Sequence, residues 1–183
     1  MDTIWANNFF EIIPTLNKRP DILKIMSQLI TSNNILGKSL EGGNRKSQFK
    51  DILLKAINNI ISLDSSYSLV EQKLPPSTSI YTSNTRVFSK NWGERLIRTN
   101  LSIFYNYSVL TFILSHGQSK CIIPHSDYED PNSKCIQYVS KVYDAQILLD
   151  SLINIYIKGH FTNSDYKVPH HPHCTHVIIP YIE

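Results

Sequence analysis

Cysteine and histidine are concentrated in two clusters in the C-terminal third of the sequence. All three cysteines of the chain lie there, together with most of its seven histidines. The first cluster consists of Cys121, His125 and Cys135, and the second consists of His170, His171, His173, Cys174 and His176. Thiolate sulfur and imidazole nitrogen are the ligands that zinc prefers, and a closed zinc site takes four of them.

A zinc site is therefore one hypothesis for this region. Its ligands would be drawn from Cys121, His125, Cys135, His171, His173, Cys174 and His176. The two clusters would have to meet in space, and the strands predicted beside them could bring them together. The chain has no CxxC pair, and the alternative is a polar loop, shaped by Pro169 and Pro172, whose side chains pack against a sheet. The surplus of candidate ligands favours a structural zinc over a catalytic one, since a catalytic zinc keeps an open position.

An enzymatic interpretation is a small metal-dependent nuclease. Asp127, Glu129 and Asp130 stand beside His125 and could bind Mg²⁺, while the C-terminal histidines could supply a general base. The same segment, DYEDPNS, also has the composition of an ordinary turn. A Gly-rich phosphate-binding loop normally follows a strand. The Gly42-Gly43 pair stands alone in a predicted loop without a preceding strand, so the sequence indicates no such loop. The sequence leaves enzymatic activity open and favours a non-enzymatic role.

Apolar periodicity predicts a mainly helical α+β fold. Helices are expected over 2–13, 20–33, 49–63, from about 85 to Gly117, and over 144–158, with strands over 121–124 and 177–182. The low-charge stretch 64–84 is expected to be a linker without helix. We therefore predict a helical N-terminal segment (1–75), a linker (76–84), and an α+β domain (85–183) with a long helix and a short sheet.

Composition excludes several classes of protein. Hydrophobic residues make up 42% and charged residues 18% of the 183 residues, which is typical of a folded chain. A net charge of +3 gives only weak support for nucleic-acid binding. No apolar run approaches the roughly 20 residues that span a bilayer, and the N-terminus lacks the features of a secretory signal. Three cysteines do not form a disulfide framework, so a reducing cytosolic setting is expected.

Two motifs in the C-terminal half resemble a known family. The long predicted helix contains RLIRTNLSIFYNYSVL (95–110), and the chain later closes with PHHPHCTHVIIPY (169–181). This order is similar to the phage minor head protein family of the phage Mu F type, also called the phage head morphogenesis domain. Arg98 and Thr99 match its helix motif, and its closing motif is matched by His171, Pro172, Cys174 and His176.

The resemblance covers the chain from residue 85 to the end, with three departures. Asn100 and Thr175 stand where the family usually has Glu and Arg, and the paired cysteines of the middle segment are reduced to the widely spaced Cys121 and Cys135. The resemblance implies a structural component of a phage or prophage head, with a portal or capsid protein as partner. No membrane association is expected, because the sequence has no apolar run long enough to span a bilayer. Its expected location is the bacterial cytoplasm and then the virion or a phage-derived particle.

Overall fold

The chain folds as a mainly helical α+β protein, which confirms the predicted class. The computed structural model describes residues 4–162 and 166–182. Over these residues the α-helices are α1 (Ile12–Lys18), α2 (Pro20–Ser32), α3 (Arg45–Ile57), α4 (Leu63–Lys73), α5 (Trp92–Ser115) and α6 (Ala145–Leu152). The strands are β1 (Lys120–Ile122), β2 (Val142–Asp144) and β3 (Ile179–Pro180).

The first helical segment begins later than its apolar pattern predicts. Residues 4–8 are not helical, a 3-10 turn covers Phe9–Glu11, and α1 follows; the first two residues of the predicted helix lie outside the described residues. Asn8 marks the start, because its side-chain oxygen accepts a hydrogen bond from the backbone N–H of Phe10 at 3.0 Å. Pro14 is accommodated in the first turn of α1, where backbone N–H groups need no partner within the helix.

The expected linker over 64–84 is wrong in its first half, because α4 occupies most of it. Asn59 has a positive φ of 56° and lets the chain turn after α3, which ends earlier than predicted. Ser62 then caps α4 by accepting a hydrogen bond from the N–H of Ser65 at 3.1 Å. Val70 and Ser66 are fully buried. A serine-rich segment with few apolar residues is thus helical because of its cap and its packing.

The long helix α5 forms the centre of the molecule. It begins at Trp92, later than expected, because residues 84–91 form turns and Asn91 has a positive φ of 58°. Gly117, with a φ of 73°, follows its C-terminus as predicted. The helix packs against α2, α4 and α6 within one continuous apolar core that includes residues from Ala6 to Ile178.

Within the described residues, none of the helices combines the length and apolar character needed to cross a membrane.

The small sheet brings the two Cys/His segments together. Its strand order is β2-β1-β3, and both pairs are antiparallel, with Ile122 opposite Ile179. The strand β2 was not predicted, and β1 and β3 are shorter than expected. Helix α6 is followed by a π-helical turn over Ile153–Ile157, so the helix predicted over 144–158 is present with an altered last turn. Because β1 and β3 are neighbours, the loop after β1 lies beside the segment before β3.

Candidate metal centre

Four buried side chains from two distant segments converge on one point. Glu129 and Cys135 come from the loop region after β1, and Cys174 and His176 come from the segment before β3. The potential ligand atoms of these four residues all lie within 4.8 Å of one another. The side chain of Glu129 is only 2% exposed, and that of His176 is fully buried. The group is thus a four-donor site that both segments build jointly.

Thr175 fixes the position of the Glu129 carboxylate. Its backbone N–H donates to Oε2 of Glu129 at 2.7 Å, and its hydroxyl donates to the same oxygen at 3.0 Å. The Thr175 hydroxyl also lies 2.8 Å from the hydroxyl of Ser126, which begins the turn that contains Glu129. Because Thr175 stands between Cys174 and His176 in the chain, these bonds hold the Glu129 carboxylate close to both of these donors.

Local turns present the two cysteines. Cys135 is the second residue of a 3-10 helix over Lys134–Tyr138, whose preceding residue, Ser133, has its hydroxyl 2.8 Å from the Cys135 sulfur. Cys174 follows a turn in which its own N–H donates to the carbonyl of His171 at 3.0 Å. Polar residues and proline dominate the sequence before both cysteines, DPNSK before Cys135 and PHHPH before Cys174, and favour turns over long helices or strands.

The distances within the group fit a small tetrahedral ion. Nδ1 of His176 lies 3.3 Å from the Cys135 sulfur, 3.9 Å from the Cys174 sulfur and 3.6 Å from Oε2 of Glu129. A tetrahedral zinc with ligand bonds of about 2.0–2.3 Å separates its ligand atoms by about 3.3–3.8 Å. His176 therefore already stands near the required spacing from the other three donors, and all four ligand atoms lie within 4.8 Å of one another.

The imidazole of His176 faces the other donors through Nδ1 alone. Its Nε2 atom is buried and has no hydrogen-bond partner among the described residues. Metal-bound histidines usually donate from their second nitrogen to a carboxylate or carbonyl group, and this second contact is missing here. The ring is thus held in place through the Nδ1 side, where the three other donors lie.

The electrostatics of the group favour two negative charges. Burial opposes ionisation of Glu129, but the hydrogen bonds from Thr175 and the nearby His171 and His176 hold its pKa below the usual value. The interaction with the Cys174 thiol lowers the pKa of Cys135 and raises the pKa of Cys174. The hydrogen bond between the two thiols therefore favours ionisation of Cys135 over ionisation of Cys174. Adjacent buried anions are costly unless a cation or strong hydrogen bonds compensate them, and a divalent metal would do so directly.

His171 stands at the edge of the group. Its Nε2 atom lies 2.9 Å from Oε1 of Glu129, 3.0 Å from the hydroxyl of Ser133 and 3.7 Å from the Cys135 sulfur. Its side chain is one-third exposed, unlike those of the four donors. The ring therefore partly covers the site and orients the carboxylate oxygen that Thr175 does not contact.

Four of the seven predicted ligands lie outside the four-donor group: His171 at its edge, and Cys121, His125 and His173 farther away. Cys121 is buried in β1, where its thiol faces the carbonyl of Tyr143 at 3.8 Å, and burial raises its pKa to about 12. His125 is largely exposed and pairs with the exposed Asp127 at 3.3 Å. His173 is half-exposed and lies 3.9 Å from Glu94 on α5. These contacts hold each side chain away from the four donors, whereas Cys135, Cys174 and His176 meet as the hypothesis requires.

Glu129 is not among the predicted zinc ligands. The sequence suggests this residue only as a magnesium ligand beside His125 and Asp127. Its position between the two cysteines of the middle segment was the available signal, but a carboxylate in a turn rich in Asp, Asn and Pro resembles an ordinary solvent-exposed residue. Its burial depends on the contact with Thr175, which is 46 positions away.

Comparisons with protein-family models, with curated proteins and with solved structures gave no match for this chain.

Proposed function

We propose that this protein is a structural and interaction component of a phage or prophage head, and that one zinc ion staples its C-terminal domain. The observation that carries the zinc proposal is the convergence of four buried donors from two segments. Two sulfurs and one imidazole favour zinc over magnesium or calcium, which prefer all-oxygen sites.

The burial of the donors favours a structural ion. A catalytic zinc has three protein ligands and an open position for water or substrate. Here four donors are present, all four are buried, and His171 stands beside them on the partly exposed side. An ion held in this way would link the loop after β1 to the segment before β3, and its binding energy would contribute to folding.

The proposal of a phage-head role is supported by what the motif residues contact. The guanidinium of Arg98 lies 4.4 Å from the centre of the Phe9 ring, pairs with Glu94 at 3.6 Å, and approaches the carbonyl of His173 at 3.4 Å. It thus joins the N-terminal segment, α5 and the closing motif. Cys174 and His176 of the closing motif belong to the four-donor group. An architectural role for these motif residues agrees with a structural protein.

The test of this role is co-purification. The chain would be co-expressed with the portal and major capsid proteins encoded by the same phage or prophage, and we expect stable association with one of them. A Cys174→Ser/His176→Asn variant serves as a comparison and should associate more weakly. Absence of association with either protein would contradict the head role, and divalent-metal-dependent cleavage of plasmid DNA that is lost in His125→Ala would support the nuclease instead.

A further inference from the structure

A cleft lies between the N-terminal helical half and α5, outside the four-donor group. It has a volume of about 410 Å³, and its walls come from the segment after α2, from residues 86–87, from α5, from the π-helical turn after α6 and from Pro172, two positions before Cys174. A second cavity of about 420 Å³ shares Ser39, Arg86 and Val87 with it and extends it toward Lys38. We call these two adjoining cavities the groove; each is within the size range of ligand sites.

The groove is lined by positive charge without a matching acid. Lys38, Arg86 and Arg95 line it, and its lining, as far as the structure describes the chain, contains neither Asp nor Glu. Within residues 4–162 and 166–182, neither arginine has a carboxylate within 4.0 Å; the guanidinium of Arg95 instead donates to the hydroxyl of Ser89. On the same helix, by contrast, Arg98 is paired with Glu94.

The rest of the groove is apolar. Leu96 and Ile103 of α5, together with Leu36 and Ile155, line the larger cavity. Leu36 is 37% exposed, so part of its side chain is available for contact. A ligand that fits this surface must offer negative groups to the arginines and an apolar group to the leucines.

We propose that this groove binds an acidic peptide segment of a partner protein, with carboxylates on Arg86 and Arg95 and an apolar side chain on Leu36 and Leu96. Arginine binds carboxylates with two parallel hydrogen bonds, which gives the contact geometric specificity. A segment with several residues matches a groove made of two joined cavities better than a compact anion does. This inference rests on the proposed interaction role, because it names the chemistry of the partner.

The experiment measures binding of a fluorescein-labelled decapeptide in which Glu and Leu alternate, by fluorescence anisotropy with the full chain. The comparison probes are a Lys-Leu decapeptide and a labelled oligothymidylate of matched charge. We expect the acidic peptide to bind most tightly, and an Arg86→Gln/Arg95→Gln variant to lose about tenfold or more in affinity. Lys18→Gln/Lys24→Gln is the matched control, because it removes two exposed positive charges elsewhere and should change the affinity by less than about twofold.

Three results would overturn the assignment: equal binding by wild type and the double arginine variant, tighter binding of the lysine peptide, or tighter binding of the oligothymidylate. Circular dichroism and metal content of each variant establish that it is folded. Failure of the wild-type chain to bind the acidic peptide, although it co-purifies with a head protein, would contradict the groove assignment alone. Peptide binding without any head partner would contradict the phage-head role alone.

Discussion

The backbone N–H of Phe9 donates a hydrogen bond to the carbonyl of Thr175 at 2.8 Å. Thr175 stands between two of the four donors, and its own N–H and hydroxyl bind the third, Glu129. Arg98 adds a second connection, because its guanidinium covers the ring of Phe9 and approaches the carbonyl of His173. The N-terminal segment is therefore bound directly to the candidate metal centre.

Metal removal should loosen the N-terminal segment. Chelation would free the segment before β3, and the Phe9–Thr175 hydrogen bond would lose its fixed acceptor. We expect amide hydrogen exchange to rise over residues 4–12 and 170–176, while exchange in the middle of α3, which packs against α2 and α4, changes little. Mass spectrometry of peptides with and without chelator measures this. Equal protection of residues 4–12 in both conditions would contradict the coupling.

Replacement of a donor cysteine should cost more than replacement of a buried cysteine outside the group. Cys174→Ser should abolish metal binding and reduce the free energy of unfolding by about 3 kcal/mol or more. Cys121→Ser is the matched control, since Cys121 is equally buried but lies in β1. It should keep the metal and lose only about 1–2 kcal/mol of stability. Denaturant unfolding and metal analysis of both variants measure this difference. An equal loss of unfolding free energy and an equal metal content in the two variants would exclude a metal-binding role for Cys174.

Arg45 should be essential for the packing of the N-terminal half. Its guanidinium is buried and donates to the carbonyls of Ser39, Leu74 and Pro75 at 2.7–2.8 Å and to the hydroxyl of Thr78 at 2.6 Å. An ammonium group lacks the planar fork that these acceptors surround. Arg45→Lys should therefore destabilise the protein by about 3 kcal/mol. The exposed Arg86→Lys should cost less than about 0.5 kcal/mol in the same denaturation assay, and similar losses for both would contradict this role.

The Arg19–Asp21 pair should give a pH-dependent contribution to stability. The hydrogen bond from Arg19 lowers the pKa of Asp21 below its usual value of 3.8, although burial opposes the shift. A carboxyl with a lowered pKa contributes stability that is present above the unfolded pKa and is lost as the pH falls through the folded pKa. Asp21→Asn should thus cost about 0.5–1 kcal/mol near neutral pH, because the pair is partly exposed.

The measurement for this pair is denaturant unfolding of wild type and Asp21→Asn at several pH values. The difference between them should shrink as the pH falls below about 4. Asp51→Asn, which removes the acid of the exposed Lys55–Asp51 pair, is the control and should cost less than about 0.5 kcal/mol. A difference for Asp21→Asn that is independent of pH would contradict the role of its charge.

Local sequence signals predicted the fold class and the main helices, but not the elements that depend on tertiary contacts. The apolar stripe of α5 and the proline at the start of α2 predicted these two helices, although α5 begins later than expected. Helix α4 was missed because its cap and two buried side chains, rather than its composition, make it a helix. Strand β2 was missed because three residues carry too little pattern, and its pairing with β1 depends on distant parts of the chain.

The sequence predicted the chemical type of the candidate site, but not which residues form it. The Cys/His composition indicated a metal site, and Cys135, Cys174 and His176 do meet. The spacing of the residues could not show that Cys121 and His125 lie outside the site. The Cys121 thiol is directed to the carbonyl of Tyr143, and the side chain of His125 is exposed to solvent. The spacing could not identify Glu129 either, because burial of that carboxylate depends on a threonine far along the chain. The division into residues 1–75 and 85–183 and the likeness to phage head proteins stay predictions.

Metal content per chain is the most direct test of the central claim. Protein purified without chelator would be analysed for zinc, and its thiols would be titrated in the native state. The four-donor group predicts about one zinc per chain, with Cys135 and Cys174 protected from reaction until chelator is added. Protein without metal, in which both of these thiols react freely in the folded state, would contradict the zinc-stapled domain.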